Sequence, residues 1–367
     1  MDSTVINRLV YLPVIPEYDT KLLMHCRSLM LNSTRPVPSQ HLELLKDKEI
    51  ICCDSGGLQL FWALEKGKKI VVGLMRKTNV NNPNVFTLGI DPLCREYSRM
   101  NASMGLTVDY PSRCDDSDLV YFWKKSRSRK ARDQMLKVAP YLCPQTELII
   151  ALQPRHPAEI SSYFNSFYSP DVRTYAYPIR KFRNKPKDAL GNAFVLSFLY
   201  HAGIRHVHFL GSSAPVVIFV LAQAIALGMF ERASFDSRTW HETAFAGPGY
   251  LEPFPGKLGS IKLNSDDNLR TKLANYPGSF ERILGHLDLP RWVIAEEWVD
   301  IYNIFAINDF KNEVLLKATT IGLKELILHE LEMYEGQEHK ILKALRLLAD
   351  SMRYGHRYVL KYYSKYL

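Results

Sequence analysis

Asp54 stands at the end of a short apolar run, Ile51-Cys52-Cys53, and enters a turn of Ser55, Gly56 and Gly57 before apolar residues resume at Leu58, Leu60 and Phe61. A carboxylate delivered by a strand into a glycine-containing turn is placed to move protons or to attack carbon. The same residues are also the ordinary formers of tight turns, so the turn by itself does not choose between chemistry and chain reversal. Three more polar side chains, Asp109, Gln153 and Asp236, close apolar runs further along the chain. Each alone has a turn or helix-cap explanation. Their joint placement favours a site.

The elements that must position these residues are eight short runs rich in strand formers: Leu9–Ile15, Ser28–Asn32, Glu49–Asp54, Leu106–Asp109, Glu147–Gln153, Arg173–Ile179, Val207–Gly211 and Arg232–Asp236. They are near-continuous in apolar residues rather than alternating, as parallel strands covered on both faces must be. Helical patterns lie between them at Ser39–Lys46, Pro92–Met104, Ser117–Ala139, Ala189–Ala202 and Pro215–Leu227. This order predicts an α/β chain folded as a (β/α)8 TIM-like barrel, with a doubly wound sheet as the competing architecture. In a barrel the ends of the strands converge on one face, and Asp54, Asp109, Gln153 and Asp236 all occupy such ends. Lys69–Leu74 and Val85–Ile90 flank a turn-rich Asn79–Asn84 segment and predict a hairpin inserted after the third strand. The barrel pattern covers residues 1–250; residues 251–367 read as a mainly helical C-terminal extension, with nucleic-acid binding as its expected role.

The composition narrows the partners. Lysine and arginine number 47 against 38 acidic residues, a formal net charge of +9, which suits an acidic partner such as nucleic acid. Hydrophobic residues at 47% and charged residues at 23% exclude a mostly disordered chain. No apolar run approaches the ~20 residues of a membrane span, and the opening MDSTVINRLVYLP lacks the pattern of a signal peptide, so a cytoplasmic location without membrane association is expected. The six cysteines are scattered without Cys-x-x-Cys spacing, so reduced thiols are expected and neither a disulfide framework nor a zinc site can be read from them, while adjacent Cys52 and Cys53 suit buried packing. His206 and His208 share one strand face with no third ligand placed beside them, so they read as structural.

Two basic segments are candidates for phosphate contact: Lys124, Lys125, Arg127, Arg129, Lys130 and Arg132 in one, and the KFRNKPK stretch at Lys181–Lys187 in the other. Either also suits a solvated face. Near the C-terminus Arg353, Arg357, Lys361 and Lys365 recur every four residues beside Tyr354, Tyr358, Tyr362 and Tyr366. Such a stripe suits packing against the parent domain, or phosphate contact with base stacking.

The motifs Asp54-Ser55-Gly56-Gly57-Leu58-Gln59-Leu60-Phe61, Val108-Asp109, Ile149-Ile150-Ala151-Leu152-Gln153, Phe209-Leu210-Gly211 and Phe235-Asp236-Ser237, in this order and at these spacings, resemble the tRNA-guanine transglycosylase family. The match runs from about Leu9 to Gly247. The resemblance implies base exchange at a nucleoside, with Asp236 as the nucleophile that forms a covalent glycosyl-enzyme and Asp54 as the acid/base group. It implies a purine pocket of Ser55, Gly56, Asp109, Gln153 and Gly211, in which Asp109 accepts from the purine N–H groups and Gln153 works at the O6 side.

Two departures set the chain apart. The family's tRNA-acting members carry a zinc site of three closely spaced cysteines and a histidine after the nucleophile, and here no cysteine follows Cys143. Leu58 stands where the family usually has a base-stacking aromatic ring, which leaves Tyr110 or Tyr177 as the expected substitute. Together with the lack of a recognisable C-terminal tRNA-binding module, these point to the DpdA-like branch, which places 7-deazaguanine bases in DNA. The expected activity is therefore exchange of guanine for a preQ0-like base in DNA without a cofactor, the alternatives being the same exchange on tRNA or a catalytically inert nucleic-acid-binding barrel. Arg238, Trp240 and His241, just past Asp236, are expected near a flipped nucleotide, His241 having an equal claim to a structural role. The oligomeric state is not legible.

Overall fold

A computed structural model describes residues 7–15, 19–33, 37–57, 75–77, 86–179, 189–240, 249–254, 257–262, 299–322 and 338–367. Eight parallel strands close into a barrel: β1 (Leu9–Ile15), β2 (Ser28–Asn32), β3 (Ile50–Asp54), β6 (Met104–Leu106), β7 (Glu147–Ala151), β8 (Thr174–Pro178), β9 (His206–Leu210) and β10 (Arg232–Ser237). Their order around the barrel is β1-β10-β9-β8-β7-β6-β3-β2, so each strand pairs with its predecessor among the barrel strands and β10 closes on β1. Helices α1 (Thr20–His25), α2 (Ser39–Leu45), α3 (Ile90–Arg99), α4 (Asp118–Leu142), α5 (Ile160–Phe167), α6 (Ala189–His201) and α7 (Pro215–Ala226) fill the connections. This is the predicted (β/α)8 architecture.

The strands are buried almost without interruption, as at Leu29, Met30 and Leu31 in β2, because side chains on one face fill the barrel and those on the other meet helices. Between β3 and α3 lie β4 (Met75–Lys77) and β5 (Phe86–Leu88), paired antiparallel with Met75 opposite Leu88. An antiparallel pair therefore stands where the hairpin is expected, with Met75–Lys77 and Phe86–Leu88 as its described arms; Lys69–Leu74 lies outside the described residues.

Two strands end at least two residues earlier than their apolar runs. β6 stops at Leu106 rather than Asp109 because only Thr107 still donates to the neighbouring strand, at Ile149 O (2.8 Å), whereas the amide of Tyr110 donates to the Ser128 hydroxyl on α4 (2.8 Å). β7 stops at Ala151, two residues before Gln153. Both polar residues thus stand on the loops that leave the strands, not within the ladder.

The chain groups into two compact units. One contains β2, β3, β6 to β9 and helices α1 to α5. The other contains most of β1, the greater part of α6, α7, β10 and the segments that follow: the antiparallel pair β11 (Gly249–Phe254) and β12 (Lys257–Lys262), and helices α8 (Val299–Thr320), α9 (Glu338–Tyr354) and α10 (His356–Tyr363). Sequence explains why that unit keeps its C-terminal helices close. A barrel helix normally needs one apolar stripe, but α7 reads PVVIFVLAQAIA and every residue from Val216 to Ile225 is buried. Helices α8 and α9 supply the second cover: Phe219 of α7 meets Phe310 of α8 edge-on at 6.1 Å, and Ile304, Ile307 and Val314 are buried on the same helix. Ser197 of α6 bonds both Ser351 (2.7 Å) and His356 Nδ1 (2.9 Å). The extension that sequence pattern separates at residue 250 therefore shares a core with the barrel helices of its unit. Among the described residues no helix is long and apolar enough to cross a membrane.

Candidate functional site

In the unit built on β2 to β9, β3 delivers Asp54 half-buried at its end after three buried residues. The carboxylate Oδ1 accepts the amide of Gly56 at 3.1 Å, an Asx-type turn, and Gly56 adopts φ +85, where glycine is at ease and L residues are not. One residue on, the Ser55 side chain is fully buried and donates to Asp109 Oδ1 at 3.4 Å. The turn thus does two jobs: it holds Asp54 and it aims Ser55 at the next carboxylate.

Asp109 is the centre of this cluster. It is 5% exposed, and Gln153 Nε2 donates to its Oδ2 at 2.5 Å. An ionised carboxylate only accepts, so the Gln153 amide must turn its NH2 toward Asp109 and its carbonyl away. Ser112 donates to the Gln153 main-chain oxygen at 2.5 Å, fixing the loop that carries it. Burial pushes the Asp109 carboxyl up to about 6, against the downward pull of the bonds from Gln153 and Ser55. The group therefore changes charge within the physiological range, and with Gln153, Ser55 and its own main-chain amide bonded to it, roughly one of its four acceptor positions is left.

Gly57 lies against the Asp109 carboxylate. A Cβ at this position would lie 2.5 Å from Asp109 Oδ1 and 3.1 Å from its Cγ. Because Asp109 is pinned by Ser55 and Gln153, it cannot simply step aside. Gly57→Ala is expected to cost about 1–3 kcal/mol by overpacking, and to cost markedly less in an Asp109→Ala background, where the clash is gone. Chemical denaturation of the four proteins of this cycle reads the coupling directly. Equal costs in both backgrounds would mean that Gly57 is not what shapes the carboxylate's seat.

Sequence reasoning missed the residues that brace this cluster from outside. Tyr163 of α5 is buried, stacks on Phe167 at 4.5 Å, and lies close enough to Asp109 for the carboxylate to help burial raise its hydroxyl well above the ordinary tyrosine range. Ser128 of α4 accepts the Tyr110 amide and donates to Lys124 O at 3.0 Å. Nothing local marks either residue; a serine in a basic run and a tyrosine in an amphipathic helix become visible only once the helices are packed.

In the other unit Asp236 lies on β10, 5% exposed, with the amide of Gly211 donating to its Oδ1 at 3.1 Å. Gly211 has φ +81, and that backbone conformation turns its N–H toward the carboxylate. This amide, expected to help hold a base, donates to Asp236. The next residue, Ser237, donates to Ser213 at 2.7 Å and approaches the Tyr11 hydroxyl at 3.4 Å. Arg238 is exposed, Trp240 is buried with its carbonyl accepting from Asn303 at 3.1 Å, and His241 lies outside the described residues.

The basic run on α4 divides by face. Lys124 is buried and pairs with Asp116 at 3.1 Å, both side chains only 6% exposed. Arg132 is buried too, donating to Phe167 O at 2.6 Å and pairing with Asp133 at 2.7 Å. These two cations hold the helix in place and are not presented to solvent. Lys125 reaches Ser162 O at 3.3 Å and sits over the Tyr163 ring, so it too is partly committed. Arg127, Arg129 and Lys130 are exposed, and Arg127 lies over Trp123, which with Phe122 is itself exposed. A 3.6-residue period accounts for the division: positions 124, 128 and 132 share one helix face, and that face is inward.

Tyr110 and Tyr177, the expected stacking rings, are buried: Tyr110 meets Trp123 edge-on at 5.7 Å and Tyr177 lies 5.8 Å from Phe209. Leu58 and the KFRNKPK segment lie outside the described residues. His208 is buried and His206 sits 3.9 Å from Glu147; among the described residues no group of three or more His, Cys, Asp or Glu side chains could hold a metal. All six cysteines are free thiols, five of them buried. The chain matches no protein-family model and no curated protein.

Proposed function

We propose that the protein is a transglycosylase that exchanges guanine for a 7-deazaguanine base in DNA. The observation that carries this reading is Asp109: a buried carboxylate with acceptor capacity to spare, flanked by an amide and by a turn in which only glycine fits. That combination suits a flat heterocycle offering N–H donors on one edge. Supporting it, Asp54 is the last residue of β3 and Asp236 the last but one of β10, and barrels of this kind build their sites at the carboxyl ends of their strands.

The chemistry follows from two carboxylates in different roles. Asp236 attacks the sugar C1′, the C1′–N9 bond breaks, and its electron pair leaves with guanine, which takes a proton from Asp54. The aspartyl ester keeps the sugar activated while the bases change places. The incoming base gives its N9 proton to Asp54, attacks C1′, and releases the Asp236 carboxylate. The Gly211 amide on Asp236 holds the attacking carboxylate in one orientation. Asp109 accepts from a purine N–H group, and Gln153 works at O6. The reacting nucleotide is taken from a single strand or flipped from a duplex, at a cost of a few kcal/mol, which exposed Arg127, Arg129, Lys130 and Arg238 offset by phosphate contact. Free thiols fit a reducing, cytoplasmic setting.

Incubation of the protein with labelled preQ0 and, separately, duplex DNA, single-stranded DNA and bulk tRNA tests the proposal. Label is expected in DNA. Incorporation into tRNA alone would overturn the choice of polymer, and incorporation into none of the three would overturn the activity.

A further inference from the structure

We propose that the outer face of α9 and α10 is a docking surface for single-stranded nucleic acid. The inner face of this segment is anchored: Val359 and Tyr363 are buried, Tyr363 donates to Asp350 at 2.6 Å, and His356 is held by Ser197. The outer face carries a ladder of three rings, with Tyr354 and Tyr358 at 4.7 Å between centroids and Tyr358 and Tyr362 at 4.4 Å. Tyr354 is 53% and Tyr362 43% exposed, far more than aromatic rings that serve a core.

The ladder crosses the joint between the two helices. Gly355 breaks the helix with φ +83, yet Tyr358 still comes back against Tyr354. Stacking on its neighbours holds each ring with little remaining freedom to lose, so a further aromatic partner added at an end of the stack meets a prearranged surface. Among the described residues the stack ends at Tyr354 and Tyr362. Cations line it: Arg353 lies over Tyr354 at 5.8 Å and Lys361 over Tyr362 at 5.2 Å, while Lys343 and Lys365 both lie over Tyr366. Residues 338–367 contain seven lysines and arginines against two acids, Glu338 and Asp350, and Asp350 is occupied by Tyr363.

This charge selects the partner. A surface that pairs aromatic faces with cations spaced roughly 6 Å apart along a helix suits unpaired bases joined by phosphates, since every base has a π-face and every link a negative charge. A membrane would ask for aliphatic side chains to bury, and the exposed ones here, Met352, Leu360 and Leu367, are few and scattered among tyrosine hydroxyls. A duplex hides the base faces the ladder would use.

The surface is independent of base exchange and is tested without it. Fluorescence anisotropy with a labelled oligothymidylate of about 15 nucleotides, a duplex of the same length, and vesicles containing phosphatidylserine separates the possibilities. The full chain is expected to prefer the single strand. Tyr354→Ala with Tyr362→Ala, both exposed positions, should weaken oligothymidylate binding at least tenfold without moving the melting temperature. Replacing Arg353, Arg357, Lys361 and Lys365 by Gln should make the salt dependence shallower by about 0.7 for each phosphate that is no longer neutralised. Wild-type affinity and slope in both variants would overturn the proposal, as would binding to vesicles that the tyrosine substitutions reduce while oligothymidylate binding stays intact.

Discussion

Asp236→Asn should abolish base exchange and the covalent protein–DNA adduct while leaving the protein folded. Asp236 is nearly isosteric with Asn, and the Asn side-chain oxygen can still accept the Gly211 amide that Oδ1 accepts at 3.1 Å. What disappears is the negative charge that makes a carboxylate a nucleophile toward C1′. Loss of a covalent route of this kind lowers the rate by roughly a thousandfold or more, about 4 kcal/mol in the barrier. Asp236→Ala should be as inactive and somewhat less stable, because it leaves the Gly211 amide in a buried site without its acceptor. The checks are incorporation of labelled base, adduct formation on a denaturing gel, and a melting curve for each variant. Activity within tenfold of wild type in the folded Asn variant would remove Asp236 from the chemistry.

The barrel was legible because its signal is repetitive. Eight near-continuous apolar runs separated by helical patterns favour a barrel over a doubly wound sheet, and β1 and β2 fall on the predicted residues throughout. The errors lie where the backbone leaves the ladder for a side chain. The run through Thr107, Val108 and Asp109 looks like strand because its residues are strand formers, yet Ser128, eighteen positions away, captures the Tyr110 amide and turns the loop. No local propensity encodes that competition.

Of the candidate site, one contact was legible but not the wiring around it. Strand-end position picked out Asp54, Asp109, Gln153 and Asp236, and Asp109 and Gln153 do meet. The partners that give them their properties come from residues distant in sequence: Ser55 for Asp109, the Gly211 amide for Asp236, Tyr163 behind the cluster. Charge counting misled in one respect, since a lysine and an arginine counted toward a surface field are buried with Asp116 and with the Phe167 carbonyl. Net charge describes a chain, whereas a helix face decides which of its charges meet the solvent.

Asp109→Asn should stabilise the protein at neutral pH and weaken base binding, and the two effects share one cause. The folded-state value of Asp109 is raised from 3.8 to about 6, mainly by burial. The folded protein therefore holds the proton more tightly than the unfolded chain, and ionising Asp109 costs stability. Below the unfolded value of 3.8 that cost is absent. It grows as pH rises toward about 6 and is present in full above. Asn carries no charge, keeps an oxygen for the Gln153 amide and offers its own NH2 to Ser55, so it escapes the cost. The gain over wild type should be on the order of 2–3 kcal/mol at pH 8 and close to zero at pH 4. Under the proposed function base affinity should move the other way, because an amide oxygen already bonded to Gln153 is a poorer acceptor for purine N–H donors than a carboxylate. Base affinity should fall roughly a hundredfold or more, and wild-type affinity should itself decline as pH drops through 6 and Asp109 takes up its proton. Paired denaturation curves at the two pH values, with base titrations alongside, decide the matter. A gain of equal size at both would mean that the charge of Asp109 is not what destabilises the fold, and a variant that still binds base would take Asp109 out of the pocket.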